Sequence, residues 1–377
     1  SERGSRDNGQ THRREEKSFG DLIPHPFLYP LDIKLDMDLF FYLLGEHETL
    51  PKGEVLATLE SLKVNYSVIE AMDQALVIST DLEETKTLEK RLAFTHALFE
   101  HLGSCNPSFD EIIAHIQGLD IKIEGSYAVR VKRVMGHGRG LDITKLERAI
   151  GDKIWEKGHK TVDLDSPKNL FYGLLTNSRF VFGRRLATID KSQFEDRKPH
   201  LRPYFHPSSM KPKLARAIIN LSRIKSGEKL MDPFCGTGGL LIEGGLIGAN
   251  VFGADISREM VKGCEENLRH LGIGEFELLE KDVSDLKTLY RDYFDAVATD
   301  PPYGKSSTTM GQNLTELYED ALESLHVILK PKRYAVIVSP ETTDLERLAT
   351  DQGFKMEERY LVRIHKSLTR KIMVLRK

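Results

Sequence analysis

The stretch Lys229–Gly239, KLMDPFCGTGG, decides the fold of this 377-residue chain. A short apolar segment, KLMD, leads directly into a glycine-rich turn, and the residues beyond the turn have the character of a helix. Glycines at such a turn let the backbone bend sharply and approach a ligand closely, where a Cβ would obstruct it. The pattern predicts a strand–turn–helix unit that binds a ligand at the carboxyl end of the strand.

Strands and helices alternate regularly after this unit. Five short apolar segments, KLMD, NVFGAD, EFELLEKD, FDAVATD and YAVIVS, are separated by helical segments, which predicts a parallel sheet covered on both faces. The chain then ends in two strand-like segments, MEERYLVRIH and RKIMVLRK. An antiparallel hairpin that closes a parallel sheet is typical of the Rossmann-like class I methyltransferase fold. The predicted fold class is therefore α/β, with this domain at residues 214–377.

Acidic residues at the ends of the second and third strands indicate which ligand binds. Asp255 is placed to accept both ribose hydroxyls, and Asp282 is placed to meet an adenine amine. Leu241 replaces the third glycine of a dinucleotide fingerprint, and Thr299 replaces the first glycine that a Walker loop at Gly304–Ser306 would need. A nucleoside without phosphates is favoured over ATP or NAD, and S-adenosylmethionine fits. The predicted cofactor residues in these loops are Asp232, Phe234, Gly236, Thr237, Gly238, Asp255, Ile256, Asp282 and Val283.

The fourth strand ends in Asp300-Pro301-Pro302-Tyr303, which faces the same crevice. An amine on an aromatic ring is a poor nucleophile because its lone pair is delocalised into the ring. Asp300 and the Pro301 carbonyl could accept its two N–H bonds, which would point the lone pair at a methyl donor and stabilise the developing charge. Pro301 and Pro302 fix the backbone, and Tyr303 offers a ring for stacking. The motif predicts methylation of an exocyclic base amine.

The first half of the chain predicts two small α+β units. Residues 1–36 are polar and aperiodic, which predicts a disordered extension. The pattern of residues 37–102 predicts a βαββα order that ends in a long helix at Thr85–Leu102. Residues 103–190 predict a second unit with a basic strand at Ser126–Val134 and a hairpin that turns at Asn177-Ser178. Residues 191–213 predict a basic linker, and we expect residues 205–377 to fold and bind cofactor without the rest.

Charge is unevenly distributed, although the formal net charge is only −3. Residues 184–216 hold nine Lys/Arg against three Asp/Glu, and residues 121–160 hold ten against five. Solvated helix faces would explain such runs on their own, but beside the amine-methylation motif they favour contacts with RNA phosphates. The RNA-binding candidates are Arg130, Lys132, Arg133, Arg139, Arg184, Arg185, Lys198 and Arg202.

Other partners are not indicated by the sequence. No apolar window is long enough to span a membrane. The three cysteines, Cys105, Cys235 and Cys264, form no CxxC pair, so neither a metal site nor a disulfide framework is expected, and a cytoplasmic location fits. The sequence carries no signal for an oligomeric partner.

Three motifs resemble those of the archaeal tRNA guanine-10 N2 methyltransferases. They are DPFCGTGG at Asp232–Gly239, GADI at Gly253–Ile256 and TDPPYG at Thr299–Gly304, and the segment before the first of them is similar to that family's connector. The resemblance covers residues 37–377. It implies a ferredoxin-like domain at 37–102 and a THUMP domain at 103–190 that holds the tRNA acceptor end. It also implies transfer of one or two methyl groups, with cofactor contacts from Tyr204, His206 and Pro207.

Alternatives remain open at this point. Methyltransferases that act on rRNA guanine N2 or DNA adenine N6 use related Asp/Asn-Pro-Pro-Tyr motifs. A catalytically idle RNA-binding protein could also keep the fold. A cytosine C5 enzyme is disfavoured because it needs a cysteine beside proline at the fourth strand end, whereas Cys235 lies in the cofactor loop.

Overall fold

The computed structural model describes residues 37–83, 85–302, 314–365 and 368–377. The predicted disordered extension at residues 1–36 lies outside these ranges, as do Tyr303 and the segment Gly304–Ser306. Within the described ranges, no helix is long and apolar enough to cross a membrane.

The first half of the chain forms one seven-stranded sheet in the order β2-β3-β1-β4-β7-β6-β5. Neighbouring strands are antiparallel except β5 and β6, which are parallel. The strands are β1 (Met37–Leu43), β2 (Tyr66–Met72), β3 (Ala75–Thr80), β4 (Thr95–Cys105), β5 (Tyr127–Arg133), β6 (Asn169–Thr176) and β7 (Arg179–Thr188). The helices are α1 (Leu50–Leu62), α2 (Lys86–Arg91), α3 (Phe109–Gly118) and α4 (Ile143–Glu156).

The prediction of one long helix at Thr85–Leu102 is wrong. Helix α2 ends at Arg91, Leu92 turns to an extended conformation, and β4 begins at Thr95. Residues of β4 have good helix propensity, but the strand is paired with β1 on one side and β7 on the other, and such tertiary pairing overrides propensity. Strand β4 also crosses the expected boundary between residues 102 and 103, so the two units share one sheet.

The second half forms another seven-stranded sheet, in the order β10-β9-β8-β11-β12-β14-β13. Strands β8 to β12 are parallel, while β14 pairs antiparallel with both β12 and β13, which confirms the predicted fold. The strands are β8 (Lys229–Asp232), β9 (Asn250–Asp255), β10 (Phe276–Glu280), β11 (Phe294–Thr299), β12 (Leu329–Pro340), β13 (Lys355–His365) and β14 (Leu368–Arg376). The helices of this half are α6 (Pro212–Leu221), α7 (Gly239–Leu246), α8 (Arg258–His270), α9 (Val283–Leu289), α10 (Leu314–Ile328) and α11 (Leu345–Asp351).

The segment expected to be a linker, residues 191–213, is folded onto the second half. It contains the short helix α5 (Ser192–Glu195), and Phe194 is 1% exposed. Arg197 donates to Glu243 Oε1 at 2.7 Å, and Arg216 lies 2.9 Å from Glu243 Oε2. The buried Arg197–Glu243 pair fixes the segment in place, since removing one partner would leave an uncompensated buried charge.

The two halves also share buried structure. Glu54 of α1 is fully buried, and its carboxylate accepts from the backbone N–H groups of Ala93 and Phe94 and from Asn220 of α6. One hydrophobic cluster combines Phe94 and other residues of the first half with Ile218 and other residues of the second. A fragment limited to residues 205–377 would expose this core, which argues against its expected independent folding.

Candidate functional site

The carboxyl ends of β8, β9 and β11 meet at one edge of the second sheet, as expected for a parallel arrangement. The turn after β8 uses backbone conformations that favour glycine, with φ of +49° at Gly236 and +84° at Gly238. A Cβ at Gly236 would meet no atom within 4 Å, so this glycine borders open space. A Cβ at Gly238 would stand 2.7 Å from Cys264 Sγ, so that glycine is required for packing against α8.

Asp255 connects the glycine turn to the end of β9. Its Oδ2 accepts from the Gly236 N–H at 3.0 Å, and its Oδ1 accepts from the Ser257 N–H at 2.9 Å. Burial raises the pKa of this carboxyl above its ordinary value. Beside it, Ile256 leaves 41% of its surface exposed, which provides an apolar wall next to the carboxylate.

Asp282 follows β10 and caps α9. Its Oδ1 accepts from the Ser284 N–H at 2.8 Å and from the Ser284 hydroxyl at 2.6 Å. The side chain of Val283 is 2% exposed and packs into the core, so only its backbone could contribute to a ligand site. These contacts fix the position of the Asp282 carboxylate at the same edge as Asp255.

Asp232 lies beneath the glycine turn and is 2% exposed. Its Oδ1 accepts from the Thr299 hydroxyl at 2.7 Å and from the Phe234 N–H at 3.1 Å. Burial is the main reason that its pKa rises to about 7, with smaller contributions from the charges of Asp300 and Asp255. Asp232 thus links the end of β8 to the end of β11 through a hydrogen bond. Phe234 and Thr237 follow it in the turn.

Asn267 of α8 is a site residue that the sequence analysis missed. It is fully buried, its Oδ1 accepts from the Tyr204 N–H at 3.0 Å, and its Nδ2 donates to the carbonyls of Tyr204 (2.9 Å) and Thr237 (3.0 Å). One side chain therefore joins the Tyr204–Pro207 segment to the glycine turn. In the sequence, Asn267 is only an asparagine within a predicted helix, and this does not indicate which groups it contacts.

The segment from Tyr204 to Pro207 runs along α8 towards the turn. Tyr204 Oη donates to Glu259 at 2.6 Å, and His206 Nδ1 lies 2.7 Å from the Ser208 hydroxyl. A further contact joins Ser209 Oγ to Thr237 Oγ1 at 2.8 Å. The predicted cofactor residues of this segment are thus brought next to those of the turn.

Asp300 directly follows β11 at the same edge, with its side chain 19% exposed. Pro301 is buried and Pro302 is partly exposed, which suits a rigid turn. The three described residues of the catalytic motif therefore lie at the edge that carries the glycine turn. In the described part of the chain, no group of three or more His, Cys, Asp or Glu side chains could hold a metal ion.

The predicted RNA-binding residues differ in accessibility. Arg202 is not accessible to RNA, contrary to the prediction, because it is only 5% exposed. Its side chain packs against the start of α7. Arg133 donates to the Gly138 and Leu141 carbonyls, and Arg184 pairs with Glu100 at 2.7 Å. Lys198 pairs with Glu195, whereas Lys132, Arg139 and Arg185 are exposed.

A cavity of about 660 Å³ lies on the first sheet, where β1, β4, β5, β6 and β7 adjoin. We call it the basic groove, and its lining is Tyr42, His96, Ala97, Phe99, Lys132, Leu170, Tyr172, Arg185, Thr188, Ile189, Asp190 and Lys191. A second cavity of about 460 Å³ shares Leu170 and Arg185 with it and adds Arg130. Lys132, Arg185 and Arg130 are thus brought together along one depression.

Aromatic rings form the floor of the basic groove. Tyr172 lies 5.2 Å from Phe99 and 5.7 Å from Tyr42 between ring centroids, and His96 stacks on Tyr42 at 4.4 Å. Tyr42 and Phe99 are buried, while Tyr172 is partly exposed. Burial, followed by the charge of Lys191, lowers the pKa of His96 to about 4, so this ring is neutral near pH 7. The groove therefore combines a stacking surface with lysine and arginine side chains.

Comparison with known proteins identifies the family of this chain. Residues 199–372 match a family model described as an RMKL-like methyltransferase domain. The tRNA (guanine(10)-N2)-dimethyltransferase of Methanothermobacter thermautotrophicus is 41% identical over 341 residues, which cover 90% of this chain and 99% of the relative. The chain belongs to the tRNA (guanine(10)-N2)-dimethyltransferase family.

Two further comparisons extend this result. The tRNA (guanine(10)-N2)-dimethyltransferase of Methanocaldococcus jannaschii is 35% identical, over 89% of this chain and 99% of the relative. The crystal structure of TrmN from Thermus thermophilus matches with a TM-score of 0.53 and 18% identity, covering 90% of this chain and 99% of that one. The second likeness concerns the fold, and it extends across both halves.

As a member of the dimethyltransferase family, the chain is an S-adenosylmethionine-dependent methyltransferase. The site described above fits this cofactor. Gly236 borders open space, and the carboxylates of Asp255 and Asp282 at the same edge are acceptors of the kind that nucleoside hydroxyls and an amine require. The exposed face of Ile256 suits an adenine ring.

Gly263 is expected to support the cofactor site by letting Tyr204 pack closely on α8. A Cβ at Gly263 would stand 2.3 Å from Tyr204 Cδ1, so Gly263→Ala must displace the Tyr204 ring from α8. Such overpacking costs about 1–3 kcal/mol, which exceeds the helix propensity gained. We expect S-adenosylmethionine affinity, measured by calorimetry, to fall roughly tenfold. Gly274→Ala is the control, because a Cβ there meets nothing within 4 Å; equal affinities for the two variants would disprove the role of Tyr204.

Proposed function

We propose that this enzyme transfers methyl groups from S-adenosylmethionine to the N2 amine of guanine 10 in tRNA, and that it can add two. The observation that carries the proposal is the position of Asp300, which directly follows β11 at the sheet edge where the glycine turn and Asp255 lie. The names of the similar proteins support the same substrate.

The site residues have distinct roles in this proposal. The Gly236–Gly238 turn, Asp255 and Asp282 hold the cofactor, which supplies an electrophilic methyl group when bound. Asp300 accepts one N–H of the guanine amine, and the Pro301 carbonyl accepts the other. Together they orient the nitrogen lone pair and stabilise the positive charge that develops on nitrogen. Tyr303 completes the motif in sequence and would stack on the base.

RNA selection is proposed to depend on the first half of the chain. The basic groove offers Tyr172 for stacking of an unpaired base, and Lys132, Lys191 and Arg185 for phosphate contacts. These are the features with which proteins bind single-stranded ends of RNA. We propose that the first half of the chain contains a ferredoxin-like unit followed by a THUMP domain, joined in one sheet through β4, and that the THUMP domain holds the tRNA acceptor end, in the cytoplasm.

The direct test follows the product nucleosides over time. The full chain is incubated with a tRNA transcript and labelled S-adenosylmethionine, and the RNA is digested and analysed by mass spectrometry. We expect N2-methylguanosine to appear first and to decline as N2,N2-dimethylguanosine accumulates. Label found in N6-methyladenosine, or label that appears only in a parallel reaction with rRNA, would replace the proposal with a different amine methyltransferase. Tight tRNA and cofactor binding without any product would indicate an idle RNA-binding protein.

A further inference from the structure

Lys213 brings a positive charge from the second half of the chain to its junction with the first half. It lies in the first turn of α6, and its Nζ is 3.2 Å from Oε1 of Glu46, which follows β1 in the first half. The nearby residues Leu44 and Leu214 are buried in the hydrophobic cluster that the two halves share. The Lys213–Glu46 pair is therefore held at the junction by the packing of the residues beside it.

Two lysines of the basic groove lie close to this pair. Lys191 Nζ contacts His96 Nδ1, and the His96 ring stacks on Tyr42 at 4.4 Å between centroids. Lys132 Nζ lies 5.5 Å from the centroid of the same Tyr42 ring. Burial lowers the pKa of Lys191, and the nearby charge of Lys213 lowers it further. Lys132, Lys191 and Lys213 thus form one group, which we call the lysine cluster.

The lysine cluster has too few carboxylates to neutralise it. Among the residues that the structure describes, Lys132 and Lys191 form no ion pair, and Glu46 pairs only with Lys213. Asp190 also lines the groove, but in the same described part of the chain it pairs with none of the three lysines. Like charges that are held close together disfavour ionisation, so an anion that binds between the lysines would stabilise the cluster.

An RNA phosphate fits this cluster because of the ring beside it. Lys132 is exposed, and the side chain of Lys213 is 24% exposed, so both can be reached from solvent. The groove also presents the partly exposed Tyr172, and a base stacked on this ring would bring its own phosphate within reach of the lysines. A free phosphate or an acidic peptide would use the lysines but not the ring. The surface therefore favours a nucleotide chain.

We propose that Lys132, Lys191 and Lys213 form a phosphate site for tRNA that is shared by the two halves, and that Glu46 competes with the phosphate for Lys213. The inference rests on the proposed tRNA substrate. In the free protein Glu46 neutralises Lys213. In the complex a phosphate oxygen takes its place, and the Glu46 carboxylate, which is 51% exposed, turns to solvent. A tRNA bound at this site contacts both halves at once.

The test measures binding of a full-length tRNA transcript to the full chain, without cofactor, across a salt series. For Lys213→Met we expect tRNA affinity to fall by up to about fivefold, the scale of one partly exposed charge pair. The slope of log affinity against log salt should flatten by about 1, as for one lost phosphate contact. Glu46→Gln should instead strengthen binding by a similar factor, because the phosphate no longer competes with a carboxylate.

The ion pair between Lys287 and Glu323 provides the matched control. Its Nζ and Oε2 atoms lie 2.6 Å apart, and its side chains are 32% and 50% exposed, close to the 24% and 51% of Lys213 and Glu46. Lys287→Met and Glu323→Gln should leave tRNA affinity and the salt slope unchanged. In the double variant Lys213→Met/Glu46→Gln, most of the gain from Glu46→Gln should disappear, because the carboxylate acts through Lys213.

The signs of the two single variants decide the outcome. A Lys213→Met protein with wild-type tRNA affinity and salt slope would overturn the inference. So would a Glu46→Gln protein that binds tRNA more weakly, since the ion pair would then act only in stability. Unchanged S-adenosylmethionine affinity by calorimetry shows that a variant is folded, and Lys213→Gln repeats the comparison if the methionine variant folds poorly.

Failure of the proposed function would be recognised separately. A wild-type chain that binds tRNA through the lysine cluster but leaves guanine N2 unmethylated would contradict the proposed methylation and support the phosphate site. Because binding is measured without cofactor, a defect in methyl transfer cannot be mistaken for a defect at this site.

Discussion

Asp300→Ala is expected to lower the rate of methyl transfer to tRNA by about 10² or more, the scale on which a preorganised polar contact acts in a transition state. The reason is geometric as well as electrostatic. In the proposed mechanism Asp300, which directly follows β11, accepts an N–H of the target amine and faces the nitrogen as positive charge develops on it. Single-turnover measurements at saturating cofactor and tRNA would isolate this step from binding.

The loss of rate in the alanine variant should be confined to the methyl-transfer step. Asp300 directly follows β11, whereas the proposed cofactor contacts are made by the glycine turn and Asp255, so S-adenosylmethionine affinity by calorimetry should change little. Asp300→Asn keeps a carbonyl acceptor without the charge, so its rate of methyl transfer should lie between those of the alanine variant and the wild type. Near-normal turnover in the alanine variant would remove Asp300 from the mechanism.

Replacing Lys132, Arg185 and Lys191 together with alanine should weaken tRNA binding by about 10² at physiological salt, because three phosphate contacts in the basic groove are lost. Binding should also depend less on salt. The slope of log affinity against log salt is expected to flatten by up to about 3, roughly one per lost contact. Filter binding or fluorescence titrations across a salt series would measure both quantities, and the intact cofactor site should bind S-adenosylmethionine normally.

Charge-matched and uncharged variants complete this comparison. Replacing Lys86, Arg291 and Lys355 with alanine removes three exposed cations that line neither cavity, and it should leave the slope unchanged. Tyr172→Ala should instead cost about 1–3 kcal/mol of binding with an unaltered slope, because stacking of a base involves no phosphate. If the triple variant of the basic groove and the control triple variant change tRNA affinity and the salt slope equally, the RNA is attracted by the overall charge of the protein and not by the groove.

The sequence predicted the catalytic half well because its signals are local. Gly236 and Gly238 adopt the left-handed conformations that a tight turn needs. Asp255 ends β9 and Asp300 follows β11, and the carboxyl ends of parallel strands must share one edge. Strand order then brings together residues that are far apart in sequence. The closing hairpin was also predictable, because no helix separates its two strands.

Long-range packing was beyond the reach of sequence patterns. Strand β4 has helix-forming residues, and only its pairing with β1 and β7 makes it a strand. Arg202 lies in a basic segment typical of RNA contacts, yet the buried Glu243 carboxylate draws that segment into the core through Arg197. The partners of Asn267 likewise depend on how a distant segment crosses α8.

The core shared by the two halves was missed for the same reason. Glu54 of α1 and Asn220 of α6 are 166 positions apart, and neither residue indicates the other. The consequence is functional, since the basic groove and the catalytic edge belong to halves joined by buried contacts. In the proposed function, a tRNA held in the groove would be connected to the catalytic edge by this shared core.

One substitution in the substrate tests the central claim most directly. Inosine differs from guanosine only in lacking the N2 amine, so a tRNA with inosine at position 10 keeps the shape of the substrate and loses the proposed acceptor. The wild-type chain should bind this tRNA as tightly as the unmodified one and transfer no methyl group to it, while the matched guanosine tRNA receives two. Methyl incorporation into the inosine tRNA at the normal rate would contradict the account.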